Sequence, residues 1–127
     1  MPAGPGEGRK RGRLSRSGDF DRVYREGRSQ GNRYVVMHSF PRPAEEEGDE
    51  TRLGISVSRK VGSAVQRNAV KRALREAFWA LDDAPENHDF VLVARPDAAG
   101  LVERDGTAGV EAALRELIGD AETGQAA

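Results

Sequence analysis

Ser56-Val57-Ser58-Arg59-Lys60-Val61-Gly62-Ser63-Ala64-Val65-Gln66-Arg67-Asn68-Ala69-Val70-Lys71-Arg72-Ala73-Leu74-Arg75-Glu76 reads as the end of a strand, a tight turn and the start of a helix. Ser63 followed by Gln66 is the S-x-x-Q capping box, which sets a helix N-terminus directly after Gly62. Val70, Ala73, Leu74, Ala77, Phe78 and Leu81 then recur on one side at helical spacing, and Asp82, Asp83 and Pro85 stop the helix near Leu81. Arg67, Asn68, Lys71, Arg72 and Arg75 fall on the other side, so the helix packs one face and offers the other. Upstream, Leu53, Ile55 and Val57 alternate with Gly54, Ser56 and Ser58, which predicts a strand over 53–58. One of its faces is apolar; the other is small and polar, with room for something to lie on it.

The charge on this stretch is one-sided. From Arg52 to Arg75 there are seven basic residues (Arg52, Arg59, Lys60, Arg67, Lys71, Arg72, Arg75) and no Asp or Glu, although the formal net charge of the chain is −1. Residues 1–79 hold 17 Lys plus Arg against 10 Asp plus Glu, and residues 80–127 hold 3 against 11, so the two parts carry +7 and −8. A polyanion responds to the field within a Debye length of roughly 8–10 Å, so the acidic end only weakly cancels the basic face. A solvated helix surface and a nucleic-acid interface are both compatible with that pattern alone.

Working outward, residues 1–13 are rich in Gly, Pro and basic residues without an apolar period and are expected to form a disordered basic arm. Order is expected from Leu14. Ser17 suits a helix N-cap, Asp19 and Asp21 suit the positive helix end, and Phe20, Val23 and Tyr24 make a short helix with an aromatic face, stopped by Gly27. Arg33 to Phe40 is rich in strand formers, and as one strand it would put Tyr34, Val36, His38 and Phe40 on a common face. Pro41 to Glu50 is an acidic, Pro- and Gly-containing loop. Phe90 to Ala94 is an apolar run suited to a buried, parallel strand; Val110, Ala113, Leu114, Leu117 and Ile118 make a last amphipathic helix, followed by an expected disordered tail over 119–127.

At 127 residues the chain has room for one domain, expected to span 14–118. It has no cysteine, so disulfides, thiolate metal sites and thiol nucleophiles are excluded. The two histidines, His38 and His88, lack metal-ligand spacing. No segment reaches the roughly 18 apolar residues of a membrane span, and the N-terminus lacks the apolar stretch of a signal peptide; a soluble, cytoplasmic protein without a membrane partner is expected.

The string Ser56 to Gly62, followed by Ala64-Val65, Arg67-Asn68, Val70-Lys71-Arg72 and Arg75-Glu76, resembles the RNR signature of the bacterial ribonuclease P protein family. Leu14, Asp19-Phe20, Val23, Gly27, Asn32-Arg33, Leu53-Gly54 and Phe78 also stand at that family's spacing, so the resemblance covers roughly residues 14–95. It implies an α+β fold, a two-layer α/β sandwich in the order helix-strand-strand-strand-helix-strand-helix. The sheet would be four-stranded and mixed, with its first strand near Arg28 to Gln30 and a left-handed βαβ crossover.

The resemblance further implies a protein without a catalytic centre of its own. The partner would be a catalytic RNA whose metal ions, chiefly Mg²⁺, hydrolyse the bond joining the 5′ leader to precursor tRNA. The protein alone is expected to hold no metal, and no obligate protein partner is implied. Arg59, Lys60, Arg67, Asn68, Lys71, Arg72 and Arg75 would face the catalytic RNA, and Phe20, Tyr24, Tyr34, Val36 and His38 would line a cleft for the single-stranded leader. Arg and Lys along a helix can reach successive phosphates, Asn68 can both donate and accept toward a sugar or base edge, and aromatic rings stack on any unpaired base. For Phe20 and Tyr24, packing in the core remains the competing reading, and for His38 plain exposure. At the level of function, an RNA-binding protein of the ribosome is the alternative. A protein-only nuclease would want clustered carboxylates or a His base, which the basic segment lacks.

Overall fold

The computed structural model describes residues 11–43, 50–81 and 84–124, the last six as main chain. The acidic stretch 44–49 and residues 1–10 of the expected basic arm lie outside the described residues.

The elements run β1 (Arg11–Arg13), α1 (Ser17–Glu26), β2 (Arg28–Gly31), β3 (Val35–Pro41), β4 (Thr51–Ser56), a 3₁₀ turn (Arg59–Val61), α2 (Ala64–Ala80), β5 (His88–Ala94) and α3 (Ala98–Gly124). They form one mixed sheet in the order β1-β4-β5-β3-β2. The α+β class and mixed sheet are as expected, with five strands rather than four. Arg11–Arg13, expected within the disordered arm, pairs in parallel with β4, Arg11 opposite Thr51 and Arg13 opposite Leu53. Ladder bonds come from the main chain, so an edge strand needs no apolar pattern to form.

β5 lies at the centre, parallel to β4 and antiparallel to β3, and is buried on both faces, which explains its uninterrupted apolar sequence. Phe90, Leu92 and Ala94 enter the main core with Val70, Leu74, Phe78, Leu81, Leu114 and Leu117 of the α2/α3 layer. Val91 faces the other way, toward Leu14 and Val23, with Phe20, Phe40 and Val93 packed around them. The sheet therefore carries α2 and α3 on one face and the single helix α1 on the other, where a two-layer sandwich was expected. Each large side chain buried in these layers contributes ~1.5–3 kcal/mol.

α2 follows the sequence closely. Ser63 is its N-cap, the Ser63 hydroxyl accepts from Gln66 N–H at 3.2 Å, and Gln66 Oε1 accepts from Ser63 N–H at 2.8 Å. Gly62 has φ of 157°, and a Cβ there would collide with the Gln66 side chain that closes the box. α1 begins one residue differently: Arg16 is its N-cap and Ser17 its first helical residue, because the Arg16 carbonyl already accepts from Asp19 and Phe20.

β3 starts at Val35 rather than Arg33. Asn32 causes the delay: its Oδ1 accepts from the N–H groups of Tyr34 and Val35 at 3.0 and 3.1 Å, and its Nδ2 donates to the Ala113 carbonyl at 3.0 Å. That turn sends Tyr34 to the α2/α3 core, so it does not share a face with Val36, His38 and Phe40 as expected. β4 spans Thr51–Ser56, two residues earlier than predicted, because the chain enters the 3₁₀ turn after Ser58. β5 begins two residues earlier, at His88. α3 starts at Ala98 and continues to Gly124, where a tail was expected from residue 119; Gly106, at φ 64°, breaks it into two runs. Residues 125–127 lie outside the described residues.

Candidate nucleic-acid interface

Two surfaces gather the residues singled out by sequence. The first is the 3₁₀ turn and the outer side of α2. Arg59, Lys60, Asn68, Arg72 and Arg75 are exposed there, and Arg67 and Lys71 are half-buried. Among the described residues none of the six cations forms an ion pair, whereas Arg22, Arg33, Arg42 and Arg52 all do. Arg67 Nε is screened from solvent without a hydrogen-bond partner, and the residue as a whole stays partly exposed. The N-terminal amides of α2 add partial positive charge at the same end. Guanidinium and ammonium donors of this kind have the chemistry to bind phosphates.

Arg52 belongs elsewhere, although the sequence counts it with the others. Asp89, fully buried at the start of β5, accepts from Arg52 Nε and NH2 at 2.7 Å each and from Arg22 NH2 at 3.2 Å, with Arg42 Nε at 3.6 Å. Arg42 also donates to the Glu50 carbonyl, and Arg52 reaches Asp19 at 3.4 Å. This hub ties α1, the end of β3, β4 and β5 together. Sequence reading missed it; the one available signal was a carboxylate opening an apolar strand.

The second surface lies between α1 and β3. Tyr24 meets the His38 ring edge-on, with centroids 4.9 Å apart, and Phe20 lies 6.3 Å from Tyr24. Tyr24 is 41% exposed, so its ring is offered to solvent. Val36 shares the His38 face by strand alternation. Tyr34 is absent from this platform, for the reason given above. Phe20 has a double position: its ring covers Gly54, where a Cβ would stand 2.5 Å from its Cζ, and it packs against the Leu14, Val23 and Val91 cluster. The small face predicted for β4 is thus covered at Gly54 by the protein's own aromatic ring.

Burial lowers the His38 pKa from 6.5, so at neutral pH the imidazole is an uncharged partner for Tyr24. Burial, and then the charge of Asp21, raises the Tyr24 hydroxyl above 10.0, keeping it a neutral donor. Among the described residues no three His, Asp or Glu side chains gather as a metal site, and no helix is long and apolar enough to cross a membrane.

The family model for Ribonuclease P matches residues 9–121. The chain is 40% identical over 93 residues to the ribonuclease P protein component of Bacillus velezensis, covering 73% of this chain and 78% of that one. Its fold matches the RNase P protein of Staphylococcus aureus with a TM-score of 0.73 at 35% identity, covering 86% of this chain and 94% of that one. The RNase P protein from Thermotoga maritima gives 0.70 at 34% identity, with 84% and 94% covered. With the signature turn and helix, the mixed sheet and most of the chain's length in common, this chain belongs to the ribonuclease P protein family.

Proposed function

We infer that this chain is the protein subunit of ribonuclease P. It holds the catalytic RNA along the 3₁₀ turn and α2, and the single-stranded 5′ leader of precursor tRNA between α1 and β3. The observation that carries the reading is the separation of its cations. Arg22, Arg42 and Arg52 are drawn to Asp89 inside the fold, while Arg59, Lys60, Arg67, Lys71, Arg72 and Arg75 form no ion pair among the described residues and share one surface. These six cations fall within residues 59–75 with no acid among them, a local density of charge that suits a polyanion.

The division of labour follows from what the side chains can do. Guanidinium and ammonium groups bind phosphates, releasing counterions, and Asn68 adds a donor and acceptor for a sugar or base edge. On the other surface Tyr24 and His38, with the exposed edge of Phe20, stack on unpaired bases at ~1–3 kcal/mol each and tolerate any sequence. Binding both RNAs on one rigid sheet brings the leader junction to the RNA active centre at high effective concentration. Mg²⁺ would be held by the partner RNA, with no ligand from this chain, and would supply the activated water for phosphodiester hydrolysis. The protein supplies orientation and charge, and works in the cytoplasm with its RNA.

The test is multiple-turnover cleavage of a leader-bearing precursor tRNA by a bacterial ribonuclease P RNA at low magnesium. Stimulation by the protein that requires the RNA is expected, with no cleavage by the protein alone. Tight RNA binding without stimulation would overturn the assignment.

A further inference from the structure

A cavity of about 690 Å³ opens between β1, β4 and α2, walled by Arg13, Phe20, Gly54, Lys71, Arg75 and Trp79. Its existence follows from the topology. β1 covers the β4 edge only as far as the Arg13–Leu53 pair; after the Leu14 N–H to Leu53 carbonyl bond the chain turns away to α1. The β4 edge beyond, at Gly54 and Ile55, has no β1 partner and borders the cavity. Phe20 closes one side and α2 the other.

We propose that this cavity binds one unpaired nucleotide of the partner RNA, with its phosphate on Lys71 and Arg75 and its base against Trp79. The proposal rests on the subunit reading above and adds a site to it. The volume lies in the range of small-ligand pockets, roughly 300–1,000 Å³. Its lining includes three cations and no acid, beside two aromatic side chains and a strand edge, which are the groups that hold a phosphate, stack a base and read a base edge.

Trp79 is the chain's only tryptophan and is not a sealed core residue. It meets Phe78 edge-on at 5.1 Å, carries the Arg11 guanidinium 5.3 Å from its ring centre, and also borders a second, shallower cavity of about 440 Å³ shared with Arg11, Arg75 and Glu76. An indole reached from two openings, beside Arg75 at both, is placed for stacking.

The catalytic RNA is the source the geometry favours over the leader. Lys71 and Arg75 stand one and two helical turns along from Arg67 on the surface assigned to that RNA. Tyr24 on α1 meets His38 on β3, which β5 separates from β4, so Phe20 is the one platform ring that also borders the cavity.

Trp79 emission in the unmodified full-length chain reports directly on the pocket. Titration with a bacterial ribonuclease P RNA should quench it saturably, at the midpoint seen by gel shift. Trp79→Leu should weaken that binding about tenfold, and Trp79→Phe should recover most of it. Binding by gel shift with unchanged emission would overturn the pocket and leave the subunit reading intact; no binding at all would overturn both. Quenching by leader-bearing precursor tRNA alone, or equally by an oligoglutamate, would overturn the assignment to a nucleotide of the catalytic RNA.

Discussion

Arg52 and Asp89 form a two-pronged ion pair inside the fold, Nε to Oδ1 and NH2 to Oδ2, both at 2.7 Å. The pair joins adjacent parallel strands at the Arg52–Asp89 register position. Arg22 extends it to α1, with its guanidinium 4.7 Å from the Phe40 ring centre. The platform helix is therefore anchored to the sheet by a fully buried carboxylate.

Asp89→Asn should accordingly destabilise the protein by ~3–5 kcal/mol, since it removes the buried charge that three guanidinium groups share. Urea unfolding should show a lower midpoint at a similar slope. A midpoint shift of a few tenths of a molar or less would mean that water already screens the hub.

Arg67 and Arg72 stand on α2 outside the Trp79 pocket and form no ion pair among the described residues. If about five side chains of the turn and helix meet phosphates, catalytic-RNA binding should fall with log salt at a slope of about −3.5 to −4.5. Replacing both with Ala should make the slope shallower by about two while the circular dichroism and melting temperature stay near wild type. Loss of the fold would assign the two residues to structure instead.

Tyr24→Ala removes the exposed ring of the α1–β3 platform. Affinity for precursor tRNA in the holoenzyme should drop about tenfold, and affinity for mature tRNA, which lacks the leader, should not change. Equal losses for both substrates would place Tyr24 outside leader recognition.

His38 should make stability pH-dependent. Its folded pKa lies below 6.5 through burial, so the unfolded chain binds the proton more readily. Stability from this group is present above pH 6.5 and is lost as pH falls through the lower folded value. Unfolding free energies of wild type and His38→Phe, measured between pH 7.5 and about 5, should diverge only on the acid side. Parallel curves would show that His38 titrates alike in both states.

The signature helix was legible from its residues because its determinants are local. The Ser63–Gln66 box, the run from Val70 to Leu81 and the unneutralised cations each act within a few turns of one helix. Tyr34 was misplaced for the complementary reason. Alternation from Arg33 predicts Tyr34 on the Val36 face, but the Asn32 side chain, held by the Ala113 carbonyl 81 residues away, delays the strand and turns Tyr34 to the opposite layer. β1 escaped notice because Arg-Gly-Arg has no pattern of its own and becomes a strand only beside the open edge of β4.

The sequence by itself determined the family, the capped basic helix, the buried central strand and the aromatic pair on α1, all of which depend on neighbours within a few residues. Only the tertiary structure decided which cations stay outside. Arg52 and Arg75 carry the same charge in the same basic run, yet one is drawn inward by Asp89 and the other lines a cavity beside Trp79. A charge's role depends on which distant group the fold places against it, and Coulomb attraction acts through space rather than along the chain.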